Sequence, residues 1–144
     1  MFGAGGGTNS YREVEETDTV VLWGSNARET HPIFFHHVLK AVHRGAKAYV
    51  VDPRRTATAE WADGWLGLNV GADIALANAV GHVILEHGWE NRRFIAGATE
   101  NFAAYRELVQ RYAPEQVGPR IGVDPGLIRR LARDYACADR AMIC

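Results

Sequence analysis

The chain has 144 residues, 47% of them hydrophobic, with 16 basic against 17 acidic side chains and a formal net charge of −1. That is enough for one globular domain with a sizeable core. The near-balanced charge argues against a broad nucleic-acid or membrane-binding surface, and no apolar run is long enough for membrane insertion. Residues 1–10 are Gly-rich and lack the apolar and basic stretches of a signal peptide.

Taken in chain order, Thr19–Gly24 is a short Val-Val-Leu-Trp run, as in a buried parallel strand. Thr30 and His31 precede Pro32 at a helix start, since Pro is tolerated in the first turn. Ile33, Phe34, Val38, Leu39 and Val42 recur at helical spacing, and Gly45 closes that helix. Lys47–Val51 is a second strand, Thr56–Asp63 a short helix, and Trp65–Leu68 a third strand. Ala72–His87 is the clearest helix: Leu76, Ala77, Val80, Val83 and Ile84 form its apolar stripe, Asn78, His82 and Glu86 its polar side, and Gly88 its stop. Short helices follow at Asn91–Ala96 and Phe102–Tyr112. Asp124-Pro125 then caps a last helix with Leu127, Ile128, Leu131 and Tyr135 facing inward. Ala141–Ile143 starts a further strand. Alternating strands and helices predict an α/β fold, a Rossmann-like parallel sheet flanked by helices. The sequence opens on a loop and stops on a strand, so residues 1–144 read as a single, partial domain of a longer polypeptide.

Several motifs are weak. Gly3-Ala-Gly-Gly-Gly-Thr8 resembles a phosphate loop but has Thr8 where a dinucleotide fingerprint needs Gly, and no strand precedes it. Cys137 and Cys144 form no CxxC motif and read as one buried and one terminal thiol. They make the cytoplasm the default compartment and leave an oxidising one such as the periplasm open. Among the six histidines, His36 and His43 are two helical turns apart, about 10 Å, too far to share an ion held at about 2 Å by each ligand. No metal site and no Ser/His/Asp or Cys/His nucleophile set is predicted.

In an open parallel sheet, ligands bind beyond the carboxyl ends of the strands. The first such end carries Gly24, Ser25, Asn26 and Glu29. Gly24 allows close approach to the backbone, and Asn26 can both donate and accept. Glu29 is either a ligand or a surface carboxylate in a helix's first turn. The second end carries Val51-Asp52-Pro53-Arg54. Asp52 suits ribose hydroxyls or a guanine edge and Arg54 suits a phosphate, unless the tripeptide is only a turn. The third carries Leu68-Asn69-Val70-Gly71-Ala72-Asp73, where Asp73 is either a ligand or a helix N-cap.

The ordered set Gly24-Ser-Asn26-Ala-Arg-Glu29-Thr-His31-Pro32, Gly45-Ala-Lys47 and Asp52-Pro-Arg54 resembles the molybdopterin oxidoreductases, the dimethyl sulfoxide reductase superfamily, most of all their formate dehydrogenase catalytic subunits. Gly3-Ala-Gly with Thr8-Asn9-Ser10, Ala57–Asp63, Asn78–Glu86 and Phe102–Tyr105 fit as well. The resemblance implies that this segment holds the guanosine diphosphate part of one molybdopterin guanine dinucleotide, one of two that chelate molybdenum or tungsten. Carried across residue by residue, it implies cofactor contacts at Gly24, Asn26 and Glu29, where the family often has Asp, at Val51, Asp52 and Arg54, and at Leu68, Gly71 and Asp73. It further implies formate oxidation to carbon dioxide in the parent protein, with electrons passing to a 4Fe-4S cluster. The cluster cysteines, the Cys or selenocysteine metal ligand with its His, and a downstream Arg belong to other parts of the family's chain. The implied partners are therefore the remainder of the catalytic subunit and its electron-transfer subunits. Two other readings stay open: the same domain of a nitrate reductase or quinone-linked complex, and a non-catalytic nucleotide-binding or interaction domain.

Overall fold

Four apolar runs pair in parallel: Thr19–Trp23 (β1), Lys47–Val51 (β2), Gly64–Leu66 (β3) and Ala141–Ile143 (β4). Their order across the sheet is β3-β2-β1-β4 in a computed structural model that describes residues 9–144. The Gly3–Thr8 loop lies outside the described residues. The chain winds outward from β1 to β3 and then crosses back to place β4 on the other side of β1, which makes the β1/β4 boundary a topological switch point.

Strand alternation sends side chains to two separate cores. Val20 and Leu22 of β1 and Ala48 and Val50 of β2 face one layer, built from helix Pro32–His43 (α2) and a 3-10 turn at Tyr11–Glu16. Val21, Tyr49, Val51 and Leu66 face the other, built from Asp73–Glu86 (α3), Pro114–Ile121 (α6) and Pro125–Ala136 (α7). A single turn of helix, Ala27–Thr30 (α1), separates β1 from α2, and its Ala27 is fully buried. Arg92–Ala98 (α4) and Phe102–Val109 (α5) connect α3 to α6.

The α/β class, the parallel sheet and the strands at residues 19, 47 and 141 agree with the sequence reading, as does the Asp124 cap, whose carboxylate accepts from Leu127 N at 3.1 Å. Six details differ. The Thr56–Asp63 helix is only a 3-10 turn at Ala59–Trp61. The third strand starts one residue earlier and ends at Leu66, although Leu68 is still buried. Helix α6 has no counterpart among the predicted elements. On α2 the inward residues are Phe35, Val38 and Ala41, spaced by three, while Ile33 lies in the first turn and is 72% exposed. On α3, Ala79 is buried and Ala77 exposed, because the helix packs along Leu76, Ala79 and Val83. Cys137, read as buried, is exposed.

Candidate functional site

The strand register fixes where the candidate residues emerge. Trp23 pairs with Val51, and Val51 with Leu66. The next residues of the three strands, Gly24, Asp52 and Gly67, therefore leave the sheet side by side at its carboxyl edge. Gly24 N donates to Val51 O at 2.8 Å and Asp52 N to Leu66 O at 3.3 Å, so the turns are tied to one another across the sheet.

Gly24 turns the chain at φ +63° and Gly71 at φ +83°, backbone conformations that a side chain resists. No atom lies within 4 Å of where a Cβ would stand at either position, so the backbone is open to approach there. The same edge carries three carboxylates. Asp52 is 6% exposed, and its Oδ1 accepts from Arg54 N at 2.8 Å. The Arg54 guanidinium lies 3.8 Å from the same oxygen and is mostly exposed, free to reach an anion. Asp73 is the first residue of α3; Ala72 holds the cap position. The side chain of Asp73 instead accepts from the Trp23 indole N–H at 2.8 Å, which ties the end of β1 to the start of α3. The N-cap alternative for Asp73 is thereby set aside. Glu29 accepts from Asn26 Nδ2 at 2.7 Å. Val51 and Leu68 point their side chains into the core, so only their main chain can serve a ligand.

Two residues outside the sequence-derived set also belong to this edge. One is Trp23, through its indole. The other is Thr58, 1% exposed, whose hydroxyl donates to Asn26 Oδ1 at 2.9 Å and accepts from Arg28 N at 3.1 Å. A hydroxyl in an Ala-rich stretch carries no signal in a single sequence that pairs it with a residue 32 positions earlier. Thr56 Oγ1 is buried near the same turn with no hydrogen-bond partner. On the other side of β1, at the switch point, a cavity of about 300 Å³ is lined by Ser25, His31, Phe34, Tyr11 and Met142. The three candidate turns and this cavity thus share one edge of the sheet.

A site with a buried carboxylate, a second carboxylate held by an indole, open glycine turns and a mobile-length guanidinium suits a nucleotide: hydroxyl and base N–H donors on one side, phosphate on the other. Comparison with known proteins gives the family. Residues 3–143 match the family model described as molybdopterin oxidoreductase. Formate dehydrogenase H of Escherichia coli is 43% identical over 98% of the chain, and a nitrate reductase of Synechocystis is 36% identical over 85%. The solved structure of acetylene hydratase from Pelobacter acetylenicus superposes with a TM-score of 0.78 at 30% identity, over 92% of the chain. The chain spans only about a fifth of the length of each of these relatives (20%, 17% and 20%). Their names include a dehydrogenase, a reductase and a hydratase, so the likeness fixes fold and family and leaves the substrate to other evidence. The chain belongs to the molybdopterin oxidoreductase family.

Proposed function

We propose that this chain is the cofactor-binding α/β segment of a formate dehydrogenase-like enzyme, and that its carboxyl edge holds the guanosine diphosphate end of a molybdopterin guanine dinucleotide. The observation that carries this reading is the convergence of Asn26, Asp52 and Asp73 at one sheet edge, each with hydrogen-bonding capacity left over. Asp52 Oδ2 and Asp73 Oδ2 accept no hydrogen bond among the described residues, and the buried Thr56 hydroxyl also lacks a partner. The residues therefore fit the group. Asp52 and Asp73 would accept from ribose hydroxyls or the guanine N–H edge. Arg54 and the backbone N–H groups of the turns at Gly24 and Gly71 would meet the diphosphate, with Glu29 fixing Asn26.

When bound, the cofactor supplies the redox chemistry through its molybdenum or tungsten, and the protein contributes orientation and electrostatics. The edge residues would hold and orient the cofactor. The formate reading draws on the 43% identity to formate dehydrogenase H. In it, a two-electron oxidation of formate to carbon dioxide takes place in the longer polypeptide and delivers electrons to an iron–sulfur cluster there. The partners are the remainder of that catalytic subunit and its electron-transfer subunits. A nitrate reductase is the second reading, favoured by the 36% identity to the Synechocystis protein.

Two measurements test these claims. Guanosine diphosphate titrated into the full chain should bind, and should bind about tenfold more weakly in Asp52→Ala; equal affinity in the two would remove the site. The open reading frame carrying this segment, expressed with molybdate, should reduce a viologen dye with formate. Dye oxidation by nitrate in place of that activity decides for the second reading.

A further inference from the structure

The Asn26 carboxamide is held from both ends. Its Nδ2 donates to Glu29 Oε2 at 2.7 Å, and its Oδ1 accepts from Thr58 Oγ1 at 2.9 Å. An amide can rotate by half a turn and exchange its donor for its acceptor, so its orientation depends on what each neighbour demands. Glu29 demands a donor when ionised. The Thr58 hydroxyl has its own constraint, because one of its lone pairs already accepts from Arg28 N at 3.1 Å. Its single proton is then free for Asn26 Oδ1. Both neighbours select the same rotamer, with oxygen toward Thr58 and nitrogen toward Glu29. One Nδ2 hydrogen is used by Glu29, and the second has no acceptor among the described residues. Thr58 itself is 1% exposed, so it cannot touch a ligand and acts only through Asn26.

We propose that Thr58 is a positioning residue of the cofactor edge: its buried hydroxyl locks the Asn26 amide so that a single N–H is presented to an oxygen of the bound nucleotide. Thr58 lies in the connection between β2 and β3, and Asn26 follows β1. The lock therefore couples two of the three turns that form the edge. This inference rests on the nucleotide reading above and adds to it which group sets the polarity of Asn26 and from where.

The test is a double-mutant cycle read by guanosine diphosphate binding to the full chain, with unfolding midpoints recorded alongside. Thr58→Val keeps the shape and removes the hydroxyl; it should weaken binding roughly five- to tenfold, the usual consequence of losing one polar anchor. Thr58→Ser should restore the original affinity. In an Asn26→Ala background, Thr58→Val should cost nothing further, because the group it orients is gone. A merely structural Thr58 gives the same loss in both backgrounds, and that result overturns the proposal. The Asn26 side-chain amide pair in a ¹⁵N–¹H spectrum gives a ligand-free readout. Its two protons should resonate at the same positions in the unsubstituted chain and in Thr58→Ser, and should shift toward those of an unrestrained amide in Thr58→Val; no change in the spectrum also overturns it. Failure of the underlying reading looks different: the unsubstituted chain then binds no nucleotide, and the claim about Thr58 falls with the site. Normal binding that Asp52→Ala weakens and Thr58→Val leaves intact removes only the positioning role.

Discussion

The two ends of the one sheet treat their carboxylates in opposite ways. At the amino edge, two carboxylates are each closed by more than one donor. Asp134, at the end of α7, accepts from the Tyr49 hydroxyl at 2.6 Å and from Arg133 Nε and Nη2 at 3.0 and 2.9 Å. Asp63, just before β3, accepts from Ala48 N at 2.9 Å and from Lys47 Nζ at 3.4 Å. At the carboxyl edge, Glu29, Asp52 and Asp73 each accept one hydrogen bond of 2.7–2.8 Å. Polar groups that close on one another stabilise the fold, whereas polar groups with spare valence are satisfied by water or by a ligand. The amino edge fastens α7 to the sheet, and the carboxyl edge keeps the spare acceptors that the proposed nucleotide site would use.

That contrast can be broken most sharply at Asp134. Tyr49 is fully buried, and burial followed by its hydrogen bond to Asp134 raises the phenol above its ordinary range. Burial alone would raise the Asp134 carboxyl, but the bonds from Tyr49 and Arg133 outweigh it and hold the group low. Asp134→Ala strands the phenolic hydroxyl in the core and should cost about 2–3 kcal/mol of stability, read as a lower urea midpoint. Guanosine diphosphate affinity at temperatures where the variant stays folded should not change. A matching loss of affinity would show that the two edges are not separate in function. Asp52→Ala is the mirror experiment: nucleotide affinity should fall about tenfold, near 1.4 kcal/mol, while the urea midpoint changes by less than about 1 kcal/mol equivalent.

How far each edge could be read from sequence follows from the same physics. β1 and β2 were legible because Val-rich runs buried on both faces leave a continuous apolar signal ended by Gly24 or Asp52. The placement of Gly24 and Asp52 at the carboxyl edge was legible because each directly follows such a run. Helix α6 was not. Pro119 lies inside it and its apolar content is low, yet Pro114, Val117, Gly118 and Ile121 are buried at helical spacing against α3 and α7. Tertiary packing overrides a poor local propensity. The Thr58–Asn26 and Trp23–Asp73 bonds were hidden for another reason. They join residues 32 and 50 positions apart, and only the fold brings those side chains together.

Trp23→Phe sharpens the comparison within the carboxyl edge. The substitution keeps an aromatic ring against the core and removes the only donor that holds Asp73 Oδ1 among the described residues. Nucleotide affinity should fall about three- to fivefold, less than 1 kcal/mol, since the carboxylate remains and loses only its orientation. Asp73→Asn should fall further. If Trp23→Phe costs as much as Asp73→Asn, the indole itself contacts the ligand and is more than a tether.

The smallest effect belongs to the helical layer, where Arg129 of α7 bridges Glu115 of α6 at 2.8 and 3.0 Å and Glu86 of α3 at 2.8 Å. The Arg129 hydrogen bonds, followed by a backbone one, lower the Glu115 carboxyl from 4.5 to about 2, and Arg129 also lowers Glu86. A carboxyl whose folded pKa lies below its unfolded value binds fewer protons in the native state. Its stabilisation is therefore fully present above about pH 4.5 and is lost as pH falls toward 2. The Glu115 side chain is 58% exposed, so solvent screening holds the gain to well under about 1 kcal/mol. Arg129→Gln should lower the thermal midpoint slightly at pH 6, and the difference from the unsubstituted chain should vanish near pH 2. A difference that persists at pH 2 would assign the role of Arg129 to the packing of its aliphatic stem between α3 and α6, not to its charge.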